Sequence, residues 1–232
     1  SFEVLESDII HSAETNTKFF EINNLKKLAL DNVYFGYSGK KLLDNFSYTF
    51  NAGNIYGLVG ESGSGKSTLL KIIMGFIVPS SGQVSVDDIM INDSWLKNVA
   101  YVSQNSIILN ISIGKNIDIN YNGDEQSRTG MIVLLESLGL RVYLEEINYD
   151  LDHILTQKGG NISGGQLQRI AIARALYLKS NLIIFDEATS ALDNNNQRLL
   201  MELLKTIAKN SIVIISTHRK ETLEFCNHII KL

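Results

Sequence analysis

Residues Ile55 to Thr68 read IYGLVGESGSGKST. The first five, Ile55 to Val59, predict a short buried strand that runs without a spacer into a glycine-rich loop. From Ser67 to Met74 the apolar positions return at helical spacing. Strand, G-x-x-x-x-G-K-S loop and helix, in that order, form the context in which backbone N–H groups cradle phosphate. Gly60, Gly63 and Gly65 let the backbone fold tightly with its N–H groups turned inward. Lys66 adds a mobile cation for outer phosphates, and the Ser67 hydroxyl can ligate Mg²⁺. A plain glycine-rich turn would not need the flanking strand and helix.

Upstream, LALDNVYFGY (28–37) and KKLLDNFSYTF (40–50) alternate apolar and polar residues, as two strands of an antiparallel edge sheet do. The only proline, Pro79, punctuates the turn after the first helix. GQVSVDD (82–88) and VAYVSQ (99–104) read as further strands. Between Asn116 and Gln157 helical patches such as MIVLLESLGL (131–140) replace strand signals, which predicts an inserted helical lobe. LIIFDE, NQRLLMELLKTIA, SIVIIS, a short helix and HIIKL then alternate strand with helix. That alternation implies a mostly parallel sheet covered on both faces.

Three strand ends carry chemistry. The apolar run Leu182–Phe185 delivers Asp186 and Glu187 to the carboxyl edge of the sheet, where ligands bind in open α/β folds. Asp186 suits a Mg²⁺ ion, and Glu187 can polarise an attacking water as a general base. SIVIIS repeats the design and ends near His218, which can bridge a terminal phosphate and the catalytic carboxylate. Gln104 closes VAYVSQ at the same edge. A second anion site begins at NISGGQLQRIAIARAL (161–176), an amphipathic helical run opened by a hydroxyl and two glycines. One domain thus carries two helix starts suited to phosphate.

Assembled in this order, the motifs resemble the nucleotide-binding domain of ATP-binding cassette (ABC) transporters, from about Leu28 to Leu232. GESGSGKST (Gly60, Glu61, Ser62, Gly63, Ser64, Gly65, Lys66, Ser67, Thr68) corresponds to Walker A, Gln104 to the Q-loop, and ISGGQ (162–166) to the signature. LIIFDE matches Walker B, SALD (190–193) the D-loop, and His218 the H-loop. The resemblance implies a P-loop NTPase core with an antiparallel β subdomain and an inserted α-helical subdomain at approximately 105–178. It implies ATP and Mg²⁺ as cofactors, the metal near Ser67, Gln104 and Asp186. It also implies a head-to-tail pair in which Ser163, Gly164, Gly165 and Gln166 of one copy face the nucleotide on the other, with Asp193 along the seam. By the family pattern Tyr37 stacks on adenine.

NSIILNISIGKNI (105–117) is similar to the exporter branch, and the opening FEVLE looks like the end of a helix leaving a membrane domain. On that reading residues 1–26 are a linker, 27–232 the ATPase domain, and the chain works at the cytoplasmic face of the cell membrane beside an N-terminally fused transmembrane domain. A stand-alone importer ATPase and a soluble ATPase acting on ribosomes or DNA are the alternatives. Gln157-Lys158 replaces the exporter's usual acidic-basic pair, and the signature's Leu is Ile162. The charge balance, 21 Lys+Arg against 25 Asp+Glu, argues against a nucleic-acid partner. The single cysteine, Cys226, excludes an internal disulfide and reads as a small packing residue beside Phe225.

Overall fold

The computed structural model describes residues 25–37, 40–156, 162–190 and 192–232. The expected linker before Leu25 and the Gln157-Lys158 pair lie outside them.

Two sheets organise the domain. An antiparallel sheet of order β2-β1-β4-β5 is built from β1 (Lys27–Tyr37), β2 (Lys40–Asn51), β4 (Ser81–Val86) and β5 (Ile89–Met90). A parallel sheet of order β6-β7-β8-β3-β9 joins β3 (Ile55–Val59), β6 (Val99–Ser103), β7 (Leu182–Asp186), β8 (Ile212–Ser216) and β9 (His228–Lys231). The order inserts β3 between β8 and β9, so the strand feeding the phosphate loop is interior. That fits its unbroken apolar run.

Side chains alternate across β7 and β8 and divide the core in two. Leu182, Ile184, Ile212 and Ile214 pack toward the antiparallel sheet and helix α1 (Lys66–Ile73). Ile183, Phe185, Val213 and Ile215 pack toward the helices on the other face. Those helices are α2 (Ile113–Ile117), α3 (Glu125–Ser137), α4 (Arg141–Glu146), α5 (Gly164–Tyr177) and α6 (Asn194–Ile207). A short α7 (Lys220–Leu223) precedes β9. The strands and helices expected from the sequence are thus present, with the helical lobe beginning slightly before Asn116.

Two features depart from a simple pattern reading. Helix α5 buries Ile170, Ala171, Ile172, Ala173, Ala175 and Leu176, so its second half is enclosed on most sides instead of along one stripe. The small alanines allow this, because the helix is pressed between the sheet and the helical lobe. Trp95, on a 3₁₀ turn at Asp93–Asn98, is fully buried and donates its indole N–H to Ile73 O at 2.9 Å. That bond serves a carbonyl at the open end of α1, the helix that begins in the phosphate loop.

Asn116 is the polar hub of the lobe. It is 2% exposed. Its Oδ1 accepts from Leu109 N (2.9 Å) and Arg174 Nη2 (3.0 Å), and its Nδ2 donates to the carbonyls of Leu109, Ile111 and Ser112. Arg174 also donates to Asn116 O and Ile107 O, so α5 holds the segment that follows Gln104. An Asn116→Ala variant strands several of these buried groups. It should unfold about 2–3 kcal/mol more easily, read from the urea midpoint.

Candidate active site

Helix α1 starts at Lys66 directly after Gly65, whose φ of 105° belongs to the left-handed region that favours glycine. Gly60 faces a different constraint. A Cβ there would lie 2.5 Å from Ser64 Oγ and 2.8 Å from Leu232 O, so the loop closes only around a hydrogen. Lys66 is 7% exposed and folds inward, donating to Gly60 O at 2.6 Å and Glu61 O at 3.0 Å. Among the described residues no carboxylate pairs with it. An ammonium held mainly by carbonyls is poised for an anion. Glu61, Ser62 and Gly63 are exposed at the loop tip, with Ser64 half-buried behind them. Together with Lys40 and Lys41 they border an open cleft of about 530 Å³. Ser67 and Thr68 follow Lys66 on the first turn of α1.

Asp186 ends β7, and its Oδ2 accepts from Ser67 Oγ at 3.1 Å. This contact joins residues 119 apart in the sequence. A hydroxyl and a carboxylate at a helix start are hard oxygen donors of the kind Mg²⁺ takes, needing one or two protein ligands beside phosphate. The same Oδ2 accepts from the Tyr101 hydroxyl at 3.1 Å. Burial first, then the negative Asp186, pushes the Tyr101 phenol up to about 12, so it remains a donor at neutral pH.

Glu187 adopts φ 54°, an uncommon conformation for a residue with a side chain. Its N–H donates to Ser216 O at 3.0 Å, which anchors the strained turn between two strand ends. The carboxylate stands 3.7 Å from His218 Nε2, and both side chains are partly open to solvent. The base and the imidazole expected from the sequence therefore meet. Gln104 is exposed just past β6, where Ser103 registers with Asp186.

Ser163 is the N-cap of α5 and forms a reciprocal box with Gln166. Gln166 N donates to Ser163 Oγ at 3.2 Å, and Ser163 N donates to Gln166 Oε1 at 2.6 Å. Ser163 and Gly164 are exposed, so this helix start looks outward. Within the chain it is not joined to the Lys66 loop by any hydrogen bond among the described residues. Asp193 caps α6 through Asn196 N at 2.9 Å, and this bond holds its carboxylate below the ordinary range. Tyr37 ends β1 and is 51% exposed, its ring edge-on to Phe35 at 4.9 Å.

Pattern reading missed three participants. Tyr101 counted only as a strand residue. Gln168 is buried and donates to Ala188 O at 2.9 Å, tying α5 to the segment after Glu187. Arg219, next to His218, donates to Thr189 O, Leu192 O and Asn194 Oδ1 and so ties those residues to the His218 loop. Their partners are mostly backbone carbonyls, which carry no sequence signal; the one available clue was Arg219 adjoining a strand-end histidine. Burial pushes the Cys226 thiol up to about 11, in keeping with a packing role.

A family profile described as ABC transporter matches residues 43–190. The chain belongs to the ABC transporter family. It is 35% identical over 231 residues to the leukotoxin export ATP-binding protein LtxB of Aggregatibacter actinomycetemcomitans, covering 96% of this chain and 32% of that protein. It is 40% identical over 205 residues to the alpha-hemolysin translocation ATP-binding protein HlyB of Escherichia coli O157:H7, covering 86% of this chain and 29% of the relative. Among solved structures, a bacterial Atm1-family ABC exporter with ATP bound superposes with a TM-score of 0.78 at 26% identity, covering 98% of this chain and 41% of that one. The chain thus spans about a third of the length of its relatives. It is an ATP-binding domain of P-loop fold. No helix among the described residues is long and apolar enough to cross a membrane.

Proposed function

We propose that this chain is the ATP-hydrolysing domain of an exporter. The observation that carries the reading is the contact between Ser67 and Asp186, which gathers the phosphate loop, the strand-end acids and His218 at one sheet edge. The exporter branch draws support from LtxB and HlyB, whose names describe export and translocation.

On this reading Lys66 turns from the loop carbonyls to the outer phosphates of ATP, and the loop from Gly60 to Thr68 wraps the chain of phosphates. Tyr37 stacks on adenine. Ser67 and Asp186, with Gln104 nearby, are the residues that would hold Mg²⁺, which supplies charge neutralisation to the phosphates. Glu187 orients and deprotonates the attacking water. His218 steadies that carboxylate and the departing charge. Ser163, Gly164, Gly165 and Gln166 of a second copy complete the shell around the terminal phosphate, with Asp193 along the seam. Such a head-to-tail pair is isologous, so each chain supplies half of each site. Residues 1–26 serve as the linker, 27–232 as the ATPase and approximately 105–178 as its helical subdomain. The domain then works at the cytoplasmic face of the membrane beside a transmembrane domain.

Phosphate release from ATP by the 232-residue chain tests the enzymatic part. Turnover should require Mg²⁺, stop on chelation, and fall at least about a hundredfold in Lys66→Ala. Activity unchanged by chelation would reject the metal assignment. The exporter part is tested by the coding sequence upstream of Ser1, where six membrane spans are expected and an ordinary start codon would exclude a fused membrane domain.

A further inference from the structure

Tyr101 stands outside the machinery assigned above, yet its hydroxyl is one of two donors on the same oxygen of Asp186. It lies on β6, the edge strand of the parallel sheet, opposite Ile184 and two residues before Ser103. Because side chains alternate, Tyr101, Ser103 and Asp186 share the face that carries α1. Tyr101 is 43% exposed and is one of the residues bordering a cleft of about 270 Å³ with Ile107, Arg174 and Leu178. From this edge strand the Tyr101 hydroxyl therefore reaches the acid at the proposed metal position on the neighbouring strand.

We propose that Tyr101 is a positioning residue for Asp186: its phenol clamps Oδ2, with Ser67 on the same oxygen, and leaves Oδ1 uncommitted for the divalent cation or a water bound to it. A carboxylate at a strand end keeps two free torsions, and a single donor from Ser67 restrains them incompletely. A second donor, reaching from the neighbouring strand, holds the group at the cost of one phenol. Donors behind a ligating group orient it, and their loss weakens metal binding by about 10–100-fold. Tyr101 also competes for the carboxylate, which by itself would weaken the metal. Orientation prevails here because the two donors share one oxygen and spare the other.

This inference rests on the reading of Asp186 as the metal acid, so the experiment separates the two. Mn²⁺ serves as probe, its free signal followed by electron paramagnetic resonance while ADP saturates the 232-residue chain. ADP avoids turnover. Tyr101→Phe keeps the ring and removes only the donor. It should weaken Mn²⁺ in the ternary complex about tenfold. ADP affinity in a chelator and the melting temperature should both match the parent. Mn²⁺ affinity within about twofold of the parent, or tighter, overturns the proposal, as does an equal loss of metal-free ADP binding, which would mark a structural role. Asp186→Asn is the companion variant. If it leaves Mn²⁺ binding unchanged, the metal reading itself fails. If it weakens Mn²⁺ and Tyr101→Phe does not, only the role of Tyr101 falls.

Discussion

Replacing Glu187 with glutamine should lower ATP turnover by about 10²–10⁴-fold, the range a general base contributes, and leave ATP affinity within about twofold of the parent. The amide keeps the size and the hydrogen-bonding reach toward His218 but has no basic oxygen to take the water's proton. Its backbone demands are the same, since Glu187 N still meets Ser216 O and φ remains positive. Binding should be spared because the phosphates are assigned to the Lys66 loop, whose bonds to Gly60 O and Glu61 O the substitution does not touch. With hydrolysis stopped, ATP-bound chains should accumulate as a dimer in light scattering. On the proposed mechanism ATP favours the closed pair, and without hydrolysis nothing removes it. Turnover at the parental rate would transfer the role of base to another group.

The second large effect is a recovery. Lys66→Ala loses the cation of the phosphate loop. Ser163→Asp keeps a good N-cap for α5, because Asp and Ser are equivalent there, while placing a negative charge against the partner's phosphate. Each variant alone should be nearly inactive. Mixed one to one, half of the pairs are mixed pairs, and each holds one site with an intact loop and an intact Ser163 turn. Turnover should then return to about a quarter of the parental value, as follows from an isologous pair with two composite sites. Ser163 is exposed, and its hydrogen bonds run to Gln166 with none to its own Lys66 loop among the described residues, which is why complementation in trans is expected. A mixture no more active than its components would reject the shared site.

Much of this was legible in the chain because the signals were local. The IYGLV strand, the glycine loop and the apolar runs before Asp186 and near His218 are short stretches whose own periodicity fixes strand or loop. The Ser163–Gln166 box is local too, closed within four residues. Less was legible wherever two distant segments share a group. Asn116 reads as an ordinary asparagine in a helical stretch, and Trp95 as a lone aromatic. Each is a buried tie to backbone carbonyls that any residue offers. The left-handed turn at Glu187 had no glycine to announce it.

By itself the sequence determined the order of strands and helices and named the residues proposed to carry the chemistry, since residue type and short spacing encode both. Tertiary structure alone decided the juxtaposition. It inserted β3 between β8 and β9, brought Ser67 to within 3.1 Å of Asp186, set Glu187 beside His218, and left the Ser163 helix start exposed to solvent. It also brought the Tyr101 hydroxyl to Asp186, a contact made across a strand pair. Strand order and cross-strand reach depend on which apolar faces bury one another. No local stretch of sequence contains that information.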